Sequence, residues 1–305
     1  MTSRAHLWFI GPALALIVLI LLLPIGLAGL MSLTDYALGN PSFNWVGLEN
    51  YERIFTRSTY ERMFGASFRY VAVVVPLSVL LGLGAALLIH SMGRIGNIYK
   101  TIYFLPVMAA LIAMAIVWEF ALHPTVGIVN RMFEGMCGTP FELWPWLANG
   151  CAEGFPLWLQ DRDYAIWTVA FIGVWQGFGF NMVLYLAGLT SIPRELYHAA
   201  EMDGATSAWE RFRLVTWPLL GPTTVFVVTI TIIRSFQVFD TVEAFYPNGG
   251  GPGKSVYVML YAIYEKAIQQ NLMGIGAAIT MVFLFFVMLV TIAQRWFIER
   301  RTHYV

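Results

Sequence analysis

The feature that most constrains this chain is a series of long apolar runs that recurs along the whole sequence. A bilayer-spanning helix needs about 20 predominantly apolar residues, and about six such runs are present. They lie at 9–33, 68–89, 101–122, 166–189, 222–242 and 275–297. Of the 305 residues, 58% are hydrophobic and 12% are charged, which is too little charge for the surface of a soluble domain. The sequence therefore predicts an all-α, polytopic membrane protein.

We expect residues 1–305 to form a single transmembrane domain with core spans at 68–297. The first run could also be interpreted as a cleaved signal peptide, because Arg4 precedes it. It is longer than the roughly 7–15 residues of a signal-peptide core. Ser32-Leu33-Thr34 is also a poor cleavage site. A retained first span is the prediction.

The distribution of Lys and Arg predicts the orientation of the chain. These residues are denser in the short segments at 91–100 and 190–217 and at the two ends than in the longer segments between them. Cytoplasmic loops carry the excess of Lys and Arg. Both termini are therefore predicted to be cytoplasmic, and 123–165 is predicted to be an external loop.

The external loop holds the two cysteines of the sequence, Cys137 and Cys151. An oxidising exterior would allow a disulfide between them. Their spacing alone fixes no geometry. A disulfide and two free thiols both remain open.

Motifs of catalytic and metal sites are absent from the sequence. It contains no P-loop, no HExxH, no paired CxxC and no GxSxG, and its five histidines show no metal-ligand spacing. The formal net charge is zero, which gives no general basic field for nucleic acid. We therefore expect no catalytic residues, no metal, no cofactor bound by this chain and no nucleic-acid partner.

One internal segment, 192–218, is charged rather than apolar. Pro193 suits the first turn of a helix, and Glu195 suits the positive N-terminal end of that helix. Asp203 and Gly204 then favour a turn. The first half of the segment is therefore predicted to be a short helix that ends at this turn.

A second short helix is predicted at 207–216, ending before Pro218. A protruding helix–turn–helix is suited to a groove of another protein. An ordinary amphipathic connector fits the same pattern.

The residues of this segment carry a family resemblance. Ala199-Ala200-x-x-Asp203-Gly204-Ala205, followed by Phe212 and Pro218, resembles the EAA loop of binding-protein-dependent ABC importer permeases. In that family the loop is a coupling helix that docks into the ATPase subunit. The resemblance implies that the ATPase-coupling residues are Ala199, Ala200, Glu201, Asp203, Gly204, Ala205 and Phe212. The leading Glu of the family is His198 here, and Glu201 is the acidic residue nearby.

Within that family the chain is similar to the carbohydrate-uptake branch, which includes maltose-type and glycerol-3-phosphate-type permeases. Three stretches carry this likeness: Phe239-Asp240-x-Val242 leading to Asn248-Gly249-Gly250-Gly251-Pro252, then Tyr261-x-Ile263-Tyr264, and the ending Glu299-Arg300-Arg301-Thr302-His303-Tyr304. The resemblance implies import of a sugar, oligosaccharide, polyol, glycerol phosphate or other anionic sugar derivative.

The resemblance also implies the partners and the location. They are a second homologous permease, a dimer of ATPase subunits that binds ATP and Mg²⁺, an external solute-binding protein, and the lipid of a bacterial-type inner membrane. The chain itself is then not an enzyme, because hydrolysis belongs to the ATPase subunits.

Polar groups at membrane depth are costly and tend to be functional or paired. On the fifth run, Arg234, Gln237 and Asp240 recur at a spacing of three, which predicts one helical face. Arg234 could hold a phosphate, sulfonate or carboxylate bidentately. It could instead pair with Asp240, Glu243 or a partner helix, as buried charges usually do.

The fourth run supplies the rest of the candidate pathway. By resemblance to the maltose-type permease, Gln176, Gly177 and Phe180 lie where that protein lines its sugar site, as do Gln237 and Asp240. Asn181 completes the candidate set. Two glycines, Gly177 and Gly179, allow a kink or the close approach of another backbone. Polar lining positions of the third span in that family correspond to Val107 and Leu111 here.

The sequence thus predicts the permease subunit of an ATP-driven importer, forming half of a translocation pathway. A stand-alone secondary transporter is the alternative, and it predicts inverted repeats and a coupling-ion site. A membrane enzyme acting on lipid would need clustered titratable residues near one interface. Neither pattern is visible in the sequence.

Overall fold

The computed structural model describes residues 5–93, 95–139, 145–247 and 249–299. Three parts of the sequence discussed above lie outside these residues: Arg4, Asn248 and the ending at 300–304. So do the side chains at 5–9, 145, 147, 295 and 297–299.

Helices account for nearly all of the regular structure. In chain order they are α1 (Ala5–Ile17), α2 (Leu23–Met31), α3 (Glu49–Thr56), α4 (Ser58–Ser91), α5 (Gly96–Met108), α6 (Leu111–Ala121), α7 (Ile128–Glu134), α8 (Pro145–Glu153), α9 (Arg162–Thr190), α10 (Arg194–Met202), α11 (Ala208–Arg211), α12 (Trp217–Leu219), α13 (Gly221–Phe236), α14 (Asp240–Phe245), α15 (Met259–Tyr264) and α16 (Met273–Glu299). Wider π turns continue α1, α11 and α15 at Val18–Leu22, Phe212–Thr216 and Glu265–Gln269.

Among the described residues, five helices are long and apolar enough to cross a membrane. They are Ile10–Met31, Ser58–Ser91, Arg162–Thr190, Gly221–Phe245 and Met273–Gln294. The pair α5 and α6 makes a sixth span if the two are counted together. The prediction of an all-α polytopic membrane protein is confirmed.

The third predicted span is bent rather than straight. The axes of α5 and α6 differ by 97°, and Ala109 and Ala110 between them have extended backbone. Pro106, which cannot donate a backbone hydrogen bond, lies in the last turn of α5. The predicted span at 101–122 therefore consists of two helices at a sharp angle.

The fifth predicted span is also interrupted. The helix α13 ends at Phe236, and α14 begins only at Asp240. The prediction that Arg234, Gln237 and Asp240 share one helical face was therefore wrong, because Gln237 lies in the break.

The chain divides into two compact units. One comprises Met1–Glu61 with Met259–Met288, and the other comprises Arg62–Val258 with Leu289–Val305. In the first unit, α2 and α16 are in ordinary van der Waals contact, since a Cβ on Gly29 would lie 3.8 Å from the Cε of Met281. The second unit contains every residue of the candidate site.

The core of the second unit joins three spans to the 192–218 loop. Its buried members are Leu83, Ala86, Ile89, Met182, Tyr185, Leu186, Leu189, Ile192, Val215, Leu220 and Val227. Ile192 and Val215 belong to the loop, and the others come from α4, α9 and α13, except Leu220, which directly precedes α13. Tyr197 and Ala200 of α10 pack against this cluster. The 192–218 loop therefore shares a hydrophobic core with α4, α9 and α13.

The 123–165 segment folds around an aromatic cluster and a disulfide. Phe133 stacks on Phe155 with ring centroids 5.6 Å apart and meets Trp146 edge-on at 5.1 Å. The indole N–H of Trp158 donates a 2.6 Å hydrogen bond to Asn130. Cys137 and Cys151 form a disulfide with Cα atoms 5.8 Å apart, which is one of the two states that the sequence left open.

The packing of α5 on α9 depends on one glycine. A Cβ added to Gly179 would lie 2.0 Å from the carbonyl oxygen of Tyr103, whereas a Cβ on Gly177 would meet only the Ser78 hydroxyl, at 3.6 Å. Gly179 is therefore a site of close backbone approach, and α9 continues unbroken through both glycines.

We expect Gly179→Ala to destabilise the protein, because overpacking of this kind costs about 1–3 kcal/mol. Gly177→Ala on the same helix is the matched control, and its midpoint of thermal unfolding should stay close to that of the wild type. The difference between the two midpoints is measured by heating the purified protein in detergent and monitoring unfolding with a fluorescent dye that does not react with thiols. Equal midpoints for the two variants would show that the α5–α9 contact is looser than the geometry indicates.

Candidate functional site

A cavity of about 250 Å³ lies where the two interrupted spans meet α4 and α9. We call it the Arg234 cavity. Its lining comprises Tyr70, Val107, Leu111, Gly173, Gln176, Gly177, Phe180, Arg234, Gln237, Val238, Phe239, Asp240 and Thr241. Non-helical backbone at membrane depth is tolerated where it lines a cavity, and substrate sites of transporters are typically formed at such discontinuous helices. The two breaks and the cavity therefore belong to one arrangement.

Six of the seven predicted pathway residues line this cavity. They are Gln176, Gly177, Phe180, Arg234, Gln237 and Asp240. Val107 and Leu111 also line it, so the wall contributed by α5 and α6 is apolar. Gln237 faces the cavity from within the break after α13 rather than from a helical face.

Arg234 is held by an aromatic ring. Its guanidinium carbon lies 3.9 Å from the centre of the Phe180 ring, a distance typical of a cation–π contact. Among the described residues, Arg234 has no ion pair with Asp240 or Glu243. Stacking leaves the N–H groups at the edge of the guanidinium available to an anion, because the ring contacts only its face.

A second cavity of about 90 Å³ adjoins the first and contains Asn181. The two cavities share five lining residues, Tyr70, Gly173, Gly177, Phe180 and Arg234. The Oδ1 of Asn181 accepts a 3.1 Å hydrogen bond from Thr231, while its Nδ2 is buried without a partner among the described residues. Asn181 and Thr231 lie nearer than Gly173 and Gln237 to the ends of α9 and α13 that join the 192–218 loop. The pair Arg234 and Phe180 thus separates a wider cavity from a narrower one on the loop side.

Five lining residues were not predicted from the sequence: Tyr70, Gly173, Val238, Phe239 and Thr241. Tyr70, on α4, lies so close to α9 that a Cβ on Gly173 would be 2.3 Å from its hydroxyl oxygen. Phe239 and Thr241 face the cavity because the chain leaves α13 before them. An isolated Tyr beside Arg69 in an apolar run was a signal for the first residue. No local signal marked the other four as lining residues.

The turn of the 192–218 loop is a Schellman motif. The Gly204 N–H donates to the Glu201 carbonyl at 3.1 Å, and the Ala205 N–H donates to the Ala200 carbonyl at 2.9 Å. Gly204 has φ +96°, a conformation that glycine adopts without the steric cost of a side chain. Ala205, the next residue, is buried. The predicted turn at Asp203 and Gly204 is present, and its hydrogen bonds account for the residue types.

The second arm of the loop begins with a capping box. The Glu210 N–H donates to the Ser207 hydroxyl at 3.1 Å, and the Ser207 N–H donates to the Glu210 carboxylate at 3.0 Å. Hydrogen bonds from the Ser207 backbone and side chain lower the pKa of Glu210. The box satisfies two donors at the start of the helix and confirms the predicted start near 207.

The second arm does not end before Pro218, as predicted. A π turn occupies Phe212–Thr216, and the Trp217 N–H donates to the Phe212 carbonyl. The helix then continues as α12, with Pro218 in its first turn. Proline is well tolerated in the first turn of a helix, so the chain runs almost directly from the loop into α13.

The exposed surface of the loop includes large apolar and aromatic side chains. Met202 is 88% exposed and Trp209 is 68% exposed. Trp209 stacks on Phe212 with ring centroids 5.5 Å apart, and Phe212 contacts Trp217 at 6.0 Å. Exposed groups of this kind are enriched in protein interfaces.

Glu201 makes contacts within the loop. It forms an ion pair with Arg211 on the second arm and lies 3.8 Å from the imidazole of His198. The Tyr197 hydroxyl is 3.1 Å from that of Thr216 and joins the two arms again. Both contacts stabilise the helix–turn–helix, with the exposed ion pair contributing little.

Comparisons with known proteins agree with this arrangement. Residues 78–303 match the protein family described as "Binding-protein-dependent transport system inner membrane component". The chain is 28% identical over 284 residues to a probable ABC transporter permease protein, PH1215, of Pyrococcus horikoshii, covering 93% of this chain and 92% of that one. It is 28% identical over 296 residues to the sn-glycerol-3-phosphate transport system permease protein UgpA of Salmonella choleraesuis, covering 97% and 94%.

The fold is also similar to that of a solved structure. A chain of the bacterial alginate ABC transporter, crystallised with an alginate pentasaccharide-bound periplasmic protein, superposes with a TM-score of 0.80. The match covers 98% of this chain and 96% of that chain at 17% sequence identity. The likeness shows that the two chains share a fold.

Proposed function

This chain belongs to the family of binding-protein-dependent transport system inner membrane components, and from that premise we propose that it is the permease subunit of an ATP-driven importer for a carbohydrate or sugar derivative. It forms half of the translocation pathway, and a second, homologous permease forms the other half. The names of relatives that transport sn-glycerol 3-phosphate and alginate support the class of solute.

The observation that carries this proposal is the shared core of the loop and the spans. Ile192 and Val215 of the loop are buried in one cluster with Leu83 of α4 and Met182 of α9. The same two helices line the Arg234 cavity at Tyr70 and across 173–180. Because close-packed interiors transmit displacement, a push on the loop moves the helices that enclose the solute.

The loop docks into an ATPase subunit, and two such subunits bind the importer. ATP binding closes the ATPase dimer, and the loops transmit that movement, which rocks the spans between inward-facing and outward-facing states. The exposed Met202 and Trp209 support the docking surface. ATP and Mg²⁺ are bound by the partner, and hydrolysis takes place there, since the sequence of this chain contains no P-loop.

The loop lies on the cytoplasmic side, together with both termini of the chain. The density of Lys and Arg in the short segments at 91–100 and 190–217 supports this orientation. The 123–165 segment, with the disulfide of Cys137 and Cys151, then faces the exterior, where an oxidised state persists. A solute-binding protein delivers the solute to that side.

Reconstitution tests the proposed function. Vesicles that contain this chain, the second permease and the ATPase subunits should take up the solute only with the binding protein outside and ATP inside. Replacing the ATPase with a variant that binds ATP without hydrolysing it should reduce uptake to background. Uptake driven by an ion gradient without any ATPase subunit would overturn the proposal and establish secondary transport.

A further inference from the structure

A strongly basic pocket of about 360 Å³ lies apart from the Arg234 cavity. We call it the basic pocket. It is lined by Arg62, Arg69, Arg162, Asp163, Trp167, Gly253, Lys254 and Ser255. Four side chains are cationic and one is anionic, so the pocket carries an excess of three positive charges. Nothing in the loop-driven mechanism uses these residues.

The three arginines of the pocket, Arg62, Arg69 and Arg162, are not in an ion pair with any described residue. The Arg62 guanidinium reaches the Gly253 carbonyl at 3.4 Å. Like charges held together with too little counter-charge are unfavourable, and this arrangement favours the binding of an anion.

The turn at 250–256 forms one wall of the pocket. It is fixed by backbone hydrogen bonds from Val256 to Gly250 at 2.9 Å and from Lys254 to Gly251 at 3.0 Å. Lys254 has φ +61°, a sparsely populated conformation for a residue other than glycine. Its ammonium lies 4.3 Å from the centre of the Tyr257 ring. The turn therefore holds Lys254 in a defined place opposite the arginines of α4 and α9.

The pocket also has two uncharged groups suited to a sugar derivative. The hydroxyl of Ser255 is buried and has no hydrogen-bond partner among the described residues, so it is available to donate to an oxyanion. The indole of Trp167 is 49% exposed and offers an apolar face for the C–H groups of a sugar ring.

The basic pocket and the Arg234 cavity lie in series along the same helices. Arg69 directly precedes Tyr70 on α4, and Tyr70 lines the cavity. Trp167 precedes Gly173 by six residues on α9, which is a rise of about 9 Å. The pocket lies toward the end of α9 that is remote from the 192–218 loop. A solute that moves toward the loop along α9 meets the basic pocket first and Arg234 second.

We propose that the basic pocket is a second anion-binding site, which takes a phosphate, sulfate or carboxylate group of the transported solute before that solute reaches Arg234. Guanidinium groups bind such oxyanions bidentately, and clustered positive charge in a cleft raises the local concentration of an anionic ligand. The inference rests on the proposed import function, and it assigns the solute an acidic group.

The test is equilibrium binding by the assembled importer in nanodiscs of neutral phosphatidylcholine, without ATP or binding protein. The probes are D-glucuronate and inorganic phosphate, with D-glucose as the uncharged comparison, measured by calorimetry. An Arg234→Gln background removes the contribution of the inner site. In it, both anions should bind saturably and glucose should not. Adding Arg69→Gln and Arg162→Gln should weaken anion binding at least tenfold.

Two control pairs make the result specific. Arg53→Gln with Arg57→Gln removes the same charge from exposed positions outside the pocket and should leave anion binding unchanged. Arg69→Lys with Arg162→Lys should retain most of the binding, which excludes misfolding as the cause of the loss. If the Arg234→Gln protein, in which the basic pocket is unchanged, binds neither anion, the proposal is overturned.

Two other occupants give different results. If phospholipid headgroups fill the pocket, adding phosphatidylglycerol to the nanodiscs abolishes anion binding. If acidic side chains of the solute-binding protein fill the pocket, the double variant Arg69→Gln, Arg162→Gln binds that protein more weakly. The loss is then the same with and without solute. Either outcome overturns the solute site. Because the assay needs no ATP, loss of ATP-driven uptake in the wild type would instead contradict the import function.

Discussion

Gly204→Val is expected to abolish solute-stimulated ATP hydrolysis by the assembled importer. Gly204 closes the Schellman motif of the 192–218 loop at φ +96°, and a β-branched residue in this region of conformational space costs about 1–3 kcal/mol. The loop relieves that strain by losing the hydrogen bonds from Gly204 to Glu201 and from Ala205 to Ala200. The angle between its two arms then changes, and the surface at Met202 and Trp209 no longer fits the ATPase subunit that we propose to dock there.

Gly39→Val is the matched control for this prediction. Gly39 has φ +97°, and at both glycines an added Cβ meets no atom within 4 Å. The two substitutions therefore impose similar backbone strain at open positions, one inside the loop and one outside it. ATP hydrolysis and co-purification of the ATPase subunit should be lost or weakened in the first variant and retained in the second. Equal behaviour of the two variants would show that the loop does not couple the subunits.

The loop could be predicted from the sequence because its structure is local. The turn depends on hydrogen bonds between residues 200 and 205, and the second arm depends on a capping box between Ser207 and Glu210. Such signals lie within a few residues of each other and need no tertiary context. Only the end at Pro218 was wrong, because a π turn at Phe212–Thr216 carries the helix on into α12.

The breaks that form the Arg234 cavity could not be predicted in the same way. Pro106 gave a local signal two residues before the end of α5. The break after Phe236 contains no glycine or proline, and apolar periodicity continues through it. It is stabilised instead by tertiary packing of α14 against α6 and α9. Six of the seven residues predicted for the pathway do line one cavity, but the sequence assigned Gln237 to a helical face that ends before it.

Arg234→Gln is expected to reduce uptake of an anionic solute by about a hundredfold, close to abolition. A hydrogen bond to a charged group contributes about 1.5–3 kcal/mol, and glutamine of similar length supplies neither the charge nor the planar fork of donors. Loss of the cation also leaves the face of Phe180 uncovered in the cavity. The measurement is the initial rate of ATP-driven uptake of radiolabelled sn-glycerol 3-phosphate or D-glucuronate in the reconstituted importer.

Three comparisons separate a ligand role for Arg234 from a structural one. Arg234→Lys keeps the charge but loses the bidentate fork, so its uptake rate should fall between those of the wild type and Arg234→Gln. Arg53→Gln removes an exposed arginine that pairs with Glu49 on the surface, and it should leave uptake unchanged because such pairs contribute little. ATP hydrolysis stimulated by the binding protein should persist in Arg234→Gln, because the 192–218 loop and its core are intact. Unchanged uptake of the anion in Arg234→Gln would show that the cation serves the packing of α13 on α9 and does not hold the solute.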